Sequence, residues 1–306
     1  MPNLRRVIFA TIYLTCSVAV ADLTEGGKYA DITDLKHPLA KSLVAVNQLG
    51  MEQSHHGNGF FWGPNGCFVV TNFHVAFAKA KIDRKMDWIY PTRREFVQNA
   101  KRHRLNIRAD LDPDTGEFRR NLEGRVIRYA NYDRTTTNNS AGDDIAILKL
   151  YEPGTETPAC VGQAFVPQLS LDHTVIADGF LPNLNVIHLF KTGANSARVF
   201  VNTTPCQSAP YLVPGGTAAT CDLRDGASGS ILFQTIDTRS VIVVGLSANH
   251  STLSSAMSAA NVGAINRNLK VALEDEGISP QIINAFFEWS ANWRLERTPA
   301  PTKGAQ

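Results

Sequence analysis

The chain has 306 residues, 43% of them hydrophobic and 19% charged. This is ordinary globular composition, with length enough for one large domain or two small ones. Its 30 basic and 28 acidic residues nearly balance, which argues against nucleic acid as an obligate partner.

The N-terminus stands apart. Arg5 and Arg6 precede the apolar run VIFATIYLTCSVAVA, which ends in Ala19-Val20-Ala21. A basic start, a short apolar core and an A-x-A end describe a secretory signal over residues 1–21, cut after Ala21. The run from Val7 to Ala21 is 15 residues, short of the roughly 20 that a spanning helix needs. No later run is long and apolar enough to span a membrane, so the mature chain is expected to be exported, to the periplasm or the extracellular space. Losing Arg5 and Arg6 leaves 28 basic residues against 28 acidic ones. Losing Cys16 leaves Cys67, Cys160, Cys206 and Cys221, an even number in an exported chain, which permits disulfides. Of three connectivities the favoured one joins Cys206 to Cys221, which bracket a Pro/Gly-containing loop; Cys67 with Cys160 then follows by elimination. No C-x-x-C is present, so the cysteines do not read as a zinc site, and neither metal nor cofactor is implied.

Residues 22–41 read as a polar arm. From Ser42 short β-rich runs recur: SLVAVNQL, GFFWG, GCFVVTNF, GRVIRYANY, DIAILKLY, TVIADGF, NVIHLFKT, ARVFVNTT, SGSILFQTI and SVIVVGLSA. Most are bounded by Gly, Pro, Asn or Asp, the pattern of an all-β sandwich or barrel. Helix signals concentrate from Ala76 to about Asn106 and at the C-terminal end, in NRNLKVALEDEG and SPQIINAFFEWSANW, where Ser279-Pro280 is a good start. The Lys/Arg-rich stretch 79–108, interrupted by Asp83, Asp87 and Glu95, reads as a solvated helical face. DLDPDTGE (Asp110–Glu117) resembles a calcium loop, but a calcium loop needs Gly at its sixth position and Glu at its twelfth. Thr115 and Asn121 stand there, so a strand-connecting turn is expected.

The candidate chemistry centres on Ser228 in DLRDGASGSILF. A serine at its ordinary pKa is a poor nucleophile and needs a base, itself oriented by a third group. Of eight histidines, His37, His55, His56, His103, His173, His188 and His250 lie in unremarkable contexts. His74 follows an apolar strand, CFVVTNFHVAF. Asp144 in AGDDIAILKL immediately precedes an apolar strand, where a buried carboxylate needs a partner; Asp143 reads as solvated.

These residues carry a resemblance. GNGFFWGPNGCFVVTNFHV resembles the G-x-G-F-x…V-T-N-x-H-V block of trypsin-like serine peptidases of the bacterial secreted type. DIAILKL resembles their D-I-A-L-L block, CDLRDGASGSILF their G-x-S-G-S block, and SVIVVGLSANH the strand lining the primary specificity pocket. The order His, Asp, Ser is the chymotrypsin order, and the blocks cover about residues 42–275. The resemblance implies an all-β fold of two antiparallel six-stranded β-barrels, chymotrypsin-like, with a C-terminal helical segment. The divisions would be 1–21 signal, 22–41 arm, 42–157 first barrel with His74 and Asp144, 158–275 second barrel with Ser228, and 276–306 helix and tail, the helix packing on the second barrel. It also implies peptide-bond hydrolysis by His74, Asp144 and Ser228 on protein or peptide substrates, with the backbone N–H groups of Gly226 and Ser228 as oxyanion hole.

The chain departs from the family in several places. Ala227 replaces the Asp that, in zymogen-type members, pairs with a newly cut N-terminus, so no such activation is expected. Val75 stands where animal members have cysteine, and no segment reads as a PDZ domain. Asp222, six residues before Ser228, has two readings: an acidic pocket residue favouring Arg or Lys at the cleaved position, or a cap on the loop after Cys221. Asn249 and His250 are candidates for lining the same pocket, and a glutamate preference is a further reading. The alternative function is a protease-like binding module without catalysis. An α/β-hydrolase esterase would need G-x-S-x-G, and Ser230 stands where the last glycine belongs.

Overall fold

A computed structural model of the chain describes residues 29–32, 37, 39–49, 56–79, 87–90, 92–130, 141–167, 183–209, 216–221, 223, 226–235, 241–251 and 256–291. The signal segment 1–21, Asp222, the run TVIADGF and the tail after 291 lie outside these residues, and of Asn249 and His250 only the backbone is described.

The first half contains β1 (Tyr29–Asp31), β2 (Leu43–Gln48), β3 (His56–Phe61), β4 (Phe68–Thr71), α1 (Phe73–Phe77), β5 (Ala78–Lys79), β6 (Asp87–Trp88), α2 (Arg93–Asn99), β7 (Arg104–Leu111), β8 (Phe118–Tyr129) and β9 (Ala146–Tyr151). The second contains β10 (Leu184–Lys191), β11 (Ala197–Asn202), β12 (Ser208–Ala209), β13 (Gly216–Ala219), β14 (Ile231–Thr235), β15 (Val241–Ser251), β16 (Ala256–Asn261), α3 (Val262–Asp275) and α4 (Pro280–Ala291).

Six strands close an antiparallel barrel in the order β2-β3-β4-β9-β8-β7. Closure removes the unpaired edges an open sheet would present. Its interior is filled by branched and aromatic side chains, Val44, Val46, Phe61, Val69, Leu105, Ile107 and Leu148 among them, all buried and on one face by register. The all-β expectation with a closed six-stranded barrel holds for this half. The second half is an antiparallel sheet of eight strands among the described residues, in the order β1-β11-β10-β14-β15-β16-β13-β12. One edge strand comes from the arm: Tyr29, Ala30 and Asp31 pair with Asn202, Val201 and Phe200, and Asp31 accepts a hydrogen bond from Arg198.

Both expected disulfides form, Cys67–Cys160 and Cys206–Cys221. The first ties the start of β4 to the segment after β9; the second closes the segment that contains β12 and β13. By loop-closure entropy each stabilises the fold by roughly 3–5 kcal/mol. The Asp110–Glu117 stretch is the expected turn, between β7 and β8: Asp112 caps it by accepting from the Asp114 N–H at 2.9 Å and pairs with Arg119 at 2.9 Å.

Two expectations about helices need correction. The stretch Ala76–Asn106 is not one helix. Its α-helical part is α2, started by a capping box between Thr92 and Glu95, with one tight turn after it. From Arg104 the chain is a barrel strand, because Leu105, Ile107, Ala109 and Leu111 alternate inward with a period of two. The charged residues between them masked that period. The C-terminal helix, expected on the second barrel, packs instead on the first. Phe286 of α4 meets Trp62 edge-on at 5.9 Å. The helix before it leads there: Asn266 accepts from Trp62 Nε1 at 2.7 Å, Asn268 accepts from Arg128 Nε at 3.1 Å, and Glu276 pairs with Lys149 at 2.6 Å. Trp62 is almost wholly buried, so its indole N–H requires a partner, and α3 supplies it.

Replacing Phe286 by Ala removes a buried ring from this contact and is expected to cost about 3 kcal/mol, read as a lower urea midpoint. Deleting residues 279–306 should lower it further by uncovering Trp62; an unchanged midpoint would place α4 outside the cooperative unit.

Candidate active site

His74 stands on α1, a helix of five residues. So short a helix has no stability of its own; its neighbours hold it. Phe73 and Phe77 flank His74 and enter an aromatic cluster in which Phe96 lies 5.4 Å from Phe73 and 5.0 Å from Phe77, with Trp88 5.6 Å from Phe73. Tyr129 of β8 closes the cluster at 4.9 Å from Phe96. The basic stretch therefore has two sides. Arg93 and Arg94 face solvent as expected, and Phe96 is buried under the helix that carries His74.

Asp144 sits just before β9. Its Oδ2 lies 2.7 Å from His74 Nδ1, and its Oδ1 accepts from the His74 backbone N–H at 3.0 Å. The two side chains are only 12% and 10% exposed. A buried carboxylate is costly unless its oxygens are satisfied, and here one residue satisfies both. Asn72 adds a third link by donating from Nδ2 to the Asp144 backbone carbonyl at 2.9 Å. Facing a carboxylate assigns the Nδ1 position as the protonated one, which leaves a lone pair on Nε2. His74 and Asp144 are thus brought together, as the sequence implied. Asp143 lines a separate polar cavity of about 530 Å³ with Lys101, Arg128 and Arg267.

Ser228 lies in a turn bracketed by Gly226 and Gly229, at φ 85° and 83°. Three successive carbonyls of this turn are tied inward. Gly226 O accepts from Asn58 Nδ2 at 2.7 Å, and Ser228 O from the Asn58 N–H at 2.6 Å. Ala227 O accepts from the Ser230 N–H at 3.0 Å, from the Ser230 hydroxyl, and from Ser247 Oγ at 2.9 Å. In a trans peptide the N–H points opposite to the carbonyl before it. With Ala227 O held toward Ser230 and Ser247, the Ser228 N–H is directed away from them. Gly229 has to be glycine: besides its positive φ, a Cβ there would overlap the Asn58 carbonyl. The turn also lies close to α1. A Cβ on Gly57 would fall inside the Val75 side chain and 3.1 Å from Ser228 O, so only the thickness of a glycine separates the residue after His74 from the backbone of Ser228.

Asn249 and His250 lie on β15, paired with Ser258 and Met257. They follow a bulge next to Ser247, the residue that braces the Ser228 turn. The sequence reading passed over Asn58, Ser230 and Ser247. Asn58 is the one polar residue of the G-N-G-F-F run, at the variable position of the G-x-G-F pattern.

No family model matches the chain, and no curated protein matches it. Solved structures do. A Glu endopeptidase is similar at 12% identity over 80% of this chain and 96% of that one, with a TM-score of 0.48. A serine endoprotease from Yersinia pestis is similar at 14% identity over 78% and 65%, TM-score 0.45. The active form of a protease from M. tuberculosis is similar at 18% identity over 76% and 80%, TM-score 0.40.

One titrating group bears on the stability of this region. His103 packs against Phe77 at 5.3 Å with Nδ1 3.2 Å from the Tyr90 hydroxyl, and burial lowers its pKa from 6.5 to about 4. The unfolded chain then binds a proton below pH 6.5 that the folded protein refuses until about pH 4. Stability should be level above pH 6.5 and fall as pH drops toward 4, by up to roughly 3 kcal/mol from this ring. His37, likewise lowered to about 4 by burial, adds to the slope. Thermal midpoints from pH 8 to 4.5 would show it, and His103→Gln should flatten the profile; an unchanged slope in that variant would remove His103 as the cause.

Proposed function

We propose that the chain is an exported serine endopeptidase that hydrolyses peptide bonds through an acyl-enzyme. The observation that supports this reading is the buried Asp144 carboxylate holding His74 by two bonds, with the hydrogen-bonded turn that contains Ser228 only a glycine's thickness from the residue after His74. In this reading His74 Nε2 takes the proton of Ser228 Oγ as that oxygen attacks the scissile carbonyl, and Asp144 stabilises the imidazolium that forms. The developing oxyanion meets the N–H groups of Ser228 and Gly226. His74 returns the proton to the leaving amine, and water, activated by the same base, releases the acid and regenerates Ser228.

Several observations support the setting. Two disulfides suit an oxidising compartment, in agreement with the signal segment read at 1–21. No helix among the described residues is long and apolar enough to cross a membrane. Asp222, Asn249 and His250 remain the proposed specificity residues, the last two on the strand that continues from Ser247.

A fluorophosphonate probe followed by peptide mapping tests the reading. It should form an adduct on Ser228 of the mature protein and none in His74→Ala. Asp144→Asn should keep the fold and lower kcat by about 10⁴-fold, because the imidazole loses its preferred tautomer. Absence of an adduct on folded protein would overturn the peptidase reading in favour of a binding module.

A further inference from the structure

Asn58 bonds the Ser228 turn through both its side chain and its backbone N–H, and belongs to the opposite half of the molecule. It is wholly buried in β3. Its carboxamide is used at both ends: Nδ2 donates to Gly226 O at 2.7 Å, and Oδ1 accepts from the Leu189 N–H of β10 at 2.6 Å. Its backbone is used as well, the N–H by Ser228 O and the carbonyl by Thr71 Oγ1, each at 2.6 Å. One residue thus joins the nucleophile turn, β10, and the end of β4 that leads into α1.

The side-chain chemistry is specific. A carbonyl faces one end and an N–H the other, so only one orientation of a carboxamide satisfies both. An aspartate would set an acceptor against Gly226 O. An alanine would take these partners from a half-buried carbonyl and a buried N–H.

We propose that Asn58 is a positioning residue for the oxyanion hole; this rests on the peptidase reading above. The Gly226 and Ser228 N–H groups belong to the peptide planes on either side of the Gly226–Ala227 plane. Asn58 Nδ2 fixes that middle plane by its carbonyl. Glycine at 226, with φ 85°, lets the plane turn easily if it is not held. Holding it sets the angle between the two flanking donors. Ala227, buried and apolar, supplies no polar side chain for this purpose, so the turn depends on neutral hydrogen bonds from Asn58, Ser230 and Ser247.

The test uses the full mature protein, with wild-type labelling at Ser228 established first; without that labelling the peptidase reading itself fails. In Asn58→Ala, kcat and the second-order fluorophosphonate rate per folded molecule should fall about 10²-fold or more, as for loss of an oxyanion donor, with KM within a few-fold of wild type. A purely structural role would lower the thermal midpoint and leave the rate per folded molecule within threefold, which overturns the proposal. Asn58→Asp gives a second readout. Its buried carboxyl, with a raised pKa, regains a donor only when protonated. The ratio of its labelling rate to that of wild type should therefore rise at least tenfold as pH falls from 8.5 to 5.5. Taking the ratio removes the titration of His74, common to both. A flat ratio overturns the proposal.

Discussion

A carboxylate placed at the edge of a buried strand has to be paired, and Asp144 is paired twice by one residue. The bond to the His74 backbone fixes where α1 begins, and the bond to Nδ1 fixes how the imidazole is turned. Much else follows from these two contacts. α1 is too short to hold itself, so Phe73 and Phe77 on either side of His74 are gripped by Trp88, Phe96 and Tyr129. The connection between β4 and β7 is long because it has to deliver that aromatic grip from outside the barrel. Its arginines keep the outer face in water.

The Ser228 turn is held in a different way. The histidine is fixed by a charge and by aromatic packing; the serine by neutral hydrogen bonds to three successive carbonyls. Neutral bonds of this kind do not titrate near neutral pH. What does titrate in the surroundings of the histidine is His103, behind α1 rather than in front of it.

Much of this was legible in the sequence. The strands that alternate cleanly or run apolar without interruption, such as VVT before His74 and AILKL after Asp144, are where the reading put them. Both cysteine pairs formed as expected, because chain separation and loop composition constrain disulfides early. The failures share a cause. RLNIRADL has a period of two, but its Arg and Asp residues sit at the outward positions of a strand inside a basic stretch, and local charge outweighed periodicity. The C-terminal helices were recognised as helices, yet nothing local says which surface an amphipathic face will cover. That depends on Trp62, more than 200 residues earlier, needing a hydrogen-bond acceptor. Asn58 was passed over for a related reason. A single buried amide has no periodicity, and its partners, Gly226 and Leu189, are far away in the chain.

The two ends of the described chain are crossed over. Residues 29–31 complete the sheet of the second half, and residues 262–291 cover the barrel of the first. Neither half is therefore finished by the residues that come next to it in synthesis. The barrel that carries His74 and Asp144 waits with Trp62 uncovered until α3 and α4 arrive, and the arm waits for β11. Non-local closure of this kind makes assembly slow and late. His74 and Ser228 thus reach a stable common frame only after nearly all of the described chain has been delivered.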